Sequence, residues 1–252
     1  LLPRQIEQAG LTSEEIELDS IPLTTDGEPY FSFGSGASGS GINDVDKEER
    51  WAEKSRPNIS WAKDSRKFSV SRADNREVDF LMVLHNTGTD RPEVESYKYV
   101  MPGEDDAGIT HLTVYDLDEM EMNEVATANH AQGPNLSVIN DQFYRYPQDE
   151  GPFQSQWISD DPNELWYMST SRDLHRVELM RVNLETGQET PIVEEEMNVY
   201  IDTQTPDFLD DGGFIWWSER DGWGHLYRYD ADGNEVARLT QGPWHVSGVV
   251  RV

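Results

Sequence analysis

The chain has 252 residues, 36% hydrophobic and 10% aromatic, with no cysteine and 49 Asp and Glu against 20 Lys and Arg, a formal charge of −29. Lacking cysteine, it has no disulfide framework, thiolate zinc site or cysteine nucleophile, and so acidic a surface repels phosphate backbones and argues against a nucleic-acid partner. Eight Trp, ten Tyr and eight Phe separate it from disordered acidic chains, and no apolar run approaches the ~20 residues of a membrane-spanning helix.

Only five basic residues are lysine (Lys47, Lys54, Lys63, Lys67, Lys98). A folded chain that is acid-rich and lysine-poor predicts a halophilic source, in which salt relieves self-repulsion. An ordinary acidic secreted protein is the alternative.

Along the chain, Thr12 and Glu15 have capping-box spacing and predict a short helix within residues 1–20. Gly34 to Gly41 is a flexible Gly/Ser tract, followed by a charged run from Asp44 to Glu49. The tract lacks the Gly-Lys-Ser/Thr ending of a phosphate loop and reads as a surface insertion.

From residue 57 onward the chain reads as short strands divided by turn residues, and the strands repeat. Ile59 to Val70, Ser155 to Met168 and Pro206 to Trp217 each carry an aromatic, a turn rich in Asp, Ser or Gly, and an apolar run. A second hairpin follows in each, at His111 to Asp118, Glu178 to Gly187 and His225 to Gly233, with Thr186-Gly187 and Asp232-Gly233 supplying positive φ. Leu23 to Gly27 and Leu239 to Gly242 end two units alike.

Two hairpins make a four-stranded sheet, and such sheets repeated at ~40–60 residues are propeller blades. Trp61 and Trp157 lie 96 residues apart, Trp157 and Phe208 only 51. An insertion over 75–110 therefore lengthens the first complete blade, and residues 128–150 add material between blades. The expected fold is all-β, a partial β-propeller of four-stranded antiparallel blades, about three complete plus fragments. A missing initiator Met and a broken blade at either end predict a single-domain fragment, 1–252, of a larger propeller.

Trp217 to Tyr227, reading SERDGWGHLY after its Trp, resembles a blade motif of the dipeptidyl peptidase IV N-terminal propeller. Phe208 to Gly212 fits the strand leading into that motif. Asp74-Asn75-Arg76-Glu77-Val78 is similar to the family's D-x-R-x-V segment, and Arg91 to Glu104 to the RPxxExYKYxMPGE stretch of bacterial members. The resemblance spans roughly residues 20–252. It implies a propeller seated on a C-terminal α/β-hydrolase domain bearing a Ser-Asp-His triad, absent from this chain. In that family the propeller restricts access to the active site and helps bind the amino terminus of short peptides, which are cleaved typically after proline. A secreted or periplasmic parent and a possible homodimer are expected with it.

The residues themselves give no catalytic machinery. No Gly-x-Ser-x-Gly elbow is present; Gly36 to Ser40 fails at its last position. His85, His111, His130, His175, His225 and His245 form no metal-ligand pair, and no calcium-loop pattern is found. No cofactor or metal is expected. Asp105-Asp106, Asp160-Asp161 and Asp210-Asp211 read as turn residues.

The resemblance implies two neighbouring glutamates that hold the substrate's ammonium, shortly before a Trp hairpin. Glu48 and Glu49 precede Trp61 in a comparable place, although the family's aromatic context is missing and the Gly/Ser insertion intervenes. Glu194-Glu195-Glu196 is a rival of the same type, read as a surface turn. Trp223 and His225 either line a propeller channel or pack within a blade, and packing is expected. Asn58-Ile59-Ser60 and Asn135-Leu136-Ser137 match glycosylation sequons by chance. The expected function is thus the inert, substrate-gating propeller of a serine dipeptidyl peptidase. The alternatives are a protein- or glycan-binding scaffold and, more remotely, a carboxylate-pair sugar enzyme.

Overall fold

The computed structural model describes residues 21–33, 57–88, 91–105, 108–126, 135–141 and 155–250. Among these there is no helix. Sixteen strands form three packed sheets and one hairpin.

The first blade comprises β1 (Phe31–Phe33), β2 (Ile59–Trp61), β3 (Lys67–Asp74), β6 (Ile109–Asp116) and β7 (Glu121–Ala126). Between its second and third long strands the hairpin β4 (Phe80–His85) and β5 (Glu93–Lys98) projects, accounting for the expected insertion. The second blade has β8 (Asn135–Val138), β10 (Glu164–Thr170), β11 (Arg176–Asn183) and β12 (Gln188–Glu196). The third has β13 (Asp207–Phe208), β14 (Phe214–Ser218), β15 (His225–Tyr229) and β16 (Glu235–Arg238), the two hairpins read from sequence.

One expectation is corrected. Residues 135–138 are not material between blades: they pair with β10, from Thr170↔Asn135 to Tyr167↔Val138, and form the innermost strand of the second blade. The Ser155–Gln156 strand, β9, pairs instead in parallel with β2, through Ser60↔Ser155 and Trp61↔Gln156.

The blades stack face to face, and strand alternation divides their side chains. In β10, Leu165 and Tyr167 join the cluster against the first blade, with Leu112, Val114 and Trp157. Trp166 and Met168 join the cluster against the third, with Phe214, Trp216 and Tyr227. The middle sheet is buried on both faces, which is why Leu165-Trp166-Tyr167-Met168 reads as a continuous apolar run. Trp157, fully buried, donates its indole N–H to Ser69 Oγ of β3 at 3.0 Å and fixes the first two blades together.

The turns use one device repeatedly. Asp64, Asp116, Asp161, Asn183, Asp211 and Asp230 each accept backbone N–H bonds from residues two to four positions on. These Asx turns satisfy donors that the chain reversal would leave unpaired. Gly187 (φ 68°) and Gly233 (φ 83°) take the positive φ expected of them.

Candidate functional site

Glu48 and Glu49 lie outside the described residues, as do the Gly34 to Gly41 tract, the capping pair Thr12 and Glu15, and Asp106. The strands on either side of the Glu48-Glu49 segment, β1 and β2, both pair with β3. β1 pairs with the end of β3 (Phe31↔Asp74, Phe33↔Arg72) and β2 with its beginning (Ile59↔Val70, Trp61↔Phe68). Both occupy the same edge of β3, opposite β6. That edge is the first-strand, innermost position of the blade. The described chain thus stops at Phe33 and resumes at Pro57 along one and the same edge of β3.

The β1 anchor is built from aromatic and cationic groups. The buried Arg72 guanidinium lies 3.3 Å from the centre of the Phe31 ring, with Arg76 at 4.0 Å. Arg72 also donates to the Asp26 carboxylate (2.6 Å) and to its carbonyl (2.7 Å). Arg76 is held by Asp74 and Glu28, each at 2.6 Å. The Arg76 hydrogen bonds hold the Asp74 carboxyl below its ordinary range.

Glu194-Glu195-Glu196 is not a surface turn but the end of β12. Glu194 is paired with Arg176 at 2.8 Å. Glu195, two residues after the buried Val193, points into the seam with the third blade. It accepts from Trp216 Nε1 (3.1 Å) and Ser218 Oγ (2.7 Å), with Arg220 at 3.6 Å. Arg220 in turn stacks on Tyr227 at 3.6 Å, donates to Tyr229 Oη at 2.8 Å and meets Glu235 at 3.1 Å. The sequence reading missed this network, although Ser218 and Arg220 stand in the recognised motif. Its acids are already engaged across blades, which suits a structural latch better than a site for a free ammonium.

Burial pushes the Glu195 carboxyl up. A raised folded-state value means stability present at low pH and lost as pH rises through that value. Glutamine can donate to Ser218 while accepting from Trp216. Glu195→Gln should thus be at least as stable as the parent at pH 8, with its advantage shrinking as the pH falls toward 5. Urea unfolding at the two pH values checks this; a variant less stable at pH 8 would refute it.

His225 packs, as expected. It is fully buried, with Nδ1 3.1 Å from Thr240 Oγ1 and Nε2 3.0 Å from the Gly242 carbonyl. A carbonyl only accepts, and Thr240 Oγ1 already accepts from the Leu226 N–H. In the neutral ring, therefore, Nε2–H donates to Gly242 and Thr240 donates to Nδ1. His225 and the Leu239 to Gly242 ending thus form one closing device. His225→Phe leaves both partners unsatisfied and should lower stability by about 1–3 kcal/mol, read by denaturant unfolding; an unchanged midpoint would remove the device. Trp223, by contrast, is half-exposed on the neighbouring turn.

Asp160-Asp161 and Asp210-Asp211 lie on turns, as expected. Asp160 pairs with Lys63 at 2.6 Å, and Asp211 with Arg228 at 2.5 Å. Among the described residues, the nearest approach to a triad is Ser171, Asp173 and His175. There Ser171 Oγ donates to Asp173 (2.6 Å) and accepts the backbone N–H groups of His175 and Arg176. The serine proton faces the acid, not an imidazole, so no base activates it. Among the described residues no group of three or more His, Asp or Glu could hold a metal ion.

Comparison with known proteins agrees with this architecture. The fold matches the dipeptidyl peptidase 4 of Porphyromonas gingivalis with a TM-score of 0.64 at 23% identity, over 90% of this chain and 29% of that one. It matches a Bacteroides ovatus protein described as a dipeptidyl aminopeptidase IV with a TM-score of 0.54 at 21% identity, over 76% of this chain and 28% of that one. The chain thus spans less than a third of the length of either. The family model for the dipeptidyl peptidase IV N-terminal region matches residues 20–252. The chain belongs to the dipeptidyl peptidase IV N-terminal region family.

Proposed function

We propose that this chain is the propeller part of a serine exopeptidase that removes dipeptides from the amino ends of short peptides, typically after proline. Its role there is to restrict entry to the active site and to hold the substrate's amino terminus, while a C-terminal α/β-hydrolase domain supplies the triad. The 252-residue chain alone is inert. Family membership supports the reading, and one feature carries it: β1 and β2 line the same innermost edge of β3, and the sequence between them holds Glu48 and Glu49. Two neighbouring carboxylates can form charge-assisted hydrogen bonds to an ammonium and so fix where the peptide is cut. The test is hydrolysis of an Xaa-Pro chromogenic substrate by the whole protein and by the 252-residue chain. Activity confined to the whole protein supports the assignment. Binding without hydrolysis by the whole protein would make it a scaffold.

A homodimer fits the β4–β5 hairpin. Phe80, Met82 and Leu84 alternate onto one exposed face of β4, with Val94 opposite Leu84. A lone two-stranded hairpin is marginally stable in water, and a second copy would cover this face. The secreted or periplasmic location and the halophilic source stay part of the proposal. If the source is halophilic, the unfolding midpoint should rise between low and molar salt as the charge of −29 is screened; equal midpoints would dismiss it.

A further inference from the structure

Four Asp-Gly steps occur in the sequence: Asp26-Gly27, Asp211-Gly212, Asp221-Gly222 and Asp232-Gly233. Such a step is open to attack by its own backbone. Glycine has no side chain to shield its amide nitrogen, and it leaves the chain free to rotate. Three of the four are locked. The Gly212, Gly222 and Gly233 N–H groups donate to the carbonyls of Leu209 (3.0 Å), Glu219 (2.7 Å) and Asp230 (3.1 Å). These glycines hold φ at 81°, 86° and 83°, the left-handed turn position. To bring such a nitrogen onto the carboxyl carbon of the preceding aspartate, the peptide plane between them must turn, and that breaks the turn bond. Gly233 is in addition packed against Ile192.

Gly27 differs on each count. Its N–H makes no hydrogen bond among the described residues. Its φ is not in the left-handed region, and nothing lies within 4 Å of a Cβ built on it. Asp26 and Gly27 are exposed and lie outside any strand or turn. The aspartate itself matters to the fold. Its carboxylate (2.6 Å) and its carbonyl (2.7 Å) are the acceptors that hold the buried Arg72, and Arg72 lies on the Phe31 ring of β1. The unlocked step is thus half of the β1 anchor.

We propose that Asp26-Gly27 is a covalent modification site, at which aspartate isomerises spontaneously to isoaspartate and releases the β1 anchor. The Gly27 nitrogen attacks Cγ of the protonated Asp26 carboxyl. A bond from nitrogen to Cγ forms, the bond from Cγ to its hydroxyl breaks, and the hydroxyl leaves with the nitrogen's proton as water. One water then opens the five-membered imide at its main-chain carbonyl. The chain now runs through Cβ and Cγ, the freed carboxylate sits on Cα, and mass and charge are unchanged. The backbone is one carbon longer, so the two oxygens that Arg72 grips no longer stand where it reaches both. The Arg72 hydrogen bond holds the Asp26 carboxyl below its ordinary range and keeps the reactive, protonated fraction small. The Gly213 N–H does the same for Asp211, and the Tyr227 hydroxyl for Asp221. Carboxyl pairing therefore does not set Asp26 apart from these two; the free glycine amide does.

Peptide mapping of the whole protein tests this, with samples stored folded at pH 7 and, in parallel, unfolded in urea. In the folded protein isoaspartate should accumulate at Asp26 about 2- to 12-fold faster than at Asp211, Asp221 or Asp232, the equivalent of the 0.5–1.5 kcal/mol of one turn hydrogen bond. In urea the four rates should converge. Gly27→Ala places a methyl group where there is room for it, and should suppress the isomer at Asp26 alone. Release of the anchor is read by hydrogen exchange on the aged protein. The Asn75 N–H, which donates to the Tyr30 carbonyl at 2.8 Å, and the β1 amides should exchange faster in the isomerised fraction. Equal rates at the four sites in the folded protein would overturn the proposal. So would no isomer at Asp26, or a lead for Asp26 that persists undiminished in urea, since the fold would then not select the site. Unchanged exchange in the isomerised fraction would overturn the release of the anchor.

Discussion

Replacing Gly233 by alanine should lower stability by about 2–4 kcal/mol, whereas the same change at Gly187 should cost about 1 kcal/mol. Both glycines close the turn after the third strand of a blade with positive φ, 83° and 68°. The backbone penalty of adding a Cβ is therefore similar. The surroundings are not. Nothing lies within 4 Å of a Cβ at Gly187, but at Gly233 it would run into the Ile192 carbonyl oxygen and lie 2.9 Å from Ile192 Cγ2. Ile192 belongs to β12 and is buried in the seam between second and third blades, so it has no room to retreat. The turn cannot retreat either. Arg181 donates across the seam to the Ala231 carbonyl at 3.2 Å, and Asp230 ties the turn to itself through Asp232 and Asn234. Denaturant unfolding of the two variants reads the difference. Equal losses would mean that the blades separate freely at this point and that the turn alone sets the cost.

That contrast also marks what the sequence could reveal. The third blade was legible strand by strand, because Phe214-Ile215-Trp216-Trp217 and His225 to Tyr229 are apolar runs bounded by Asp-Gly turn chemistry. Local signals suffice where a hairpin's partners are adjacent in the chain. The innermost strand of the second blade was not legible. Asn135-Leu136-Ser137-Val138 is short and half polar, and its partner β10 begins at Glu164. The aromatic signal of Trp157 fell nearby instead. That tryptophan packs between blades, and its neighbours Ser155 and Gln156 pair with a strand of the preceding blade. Glu195 was missed for a related reason. Three consecutive glutamates look like a solvated run, yet strand alternation turns the middle one inward beside Val193, toward Trp216 and Ser218. The two-residue spacing from Val193 was the available sign.

Glu48→Gln and Glu49→Gln, in the whole protein, should each reduce kcat/KM for peptides with a free amino terminus by about 10- to 150-fold, the equivalent of the 1.5–3 kcal/mol of a hydrogen bond to a charged group. The change should fall on the ammonium contact and not on the chemistry, so discrimination between a free and an acetylated amino terminus should collapse along with it. The two carboxylates would share one ligand, and their effects should not add. An α-amino group titrates near 7.7–8.0, so KM for the parent should climb above about pH 8 and the climb should flatten in the variants. Glu194→Gln is the proper comparison: that carboxylate is held by Arg176 on the second blade, and its loss should leave the kinetics alone. Parental kcat/KM in both the Glu48 and Glu49 variants would remove the pair from any role in substrate binding. The sequence between β1 and β2 would then have no part in holding the substrate.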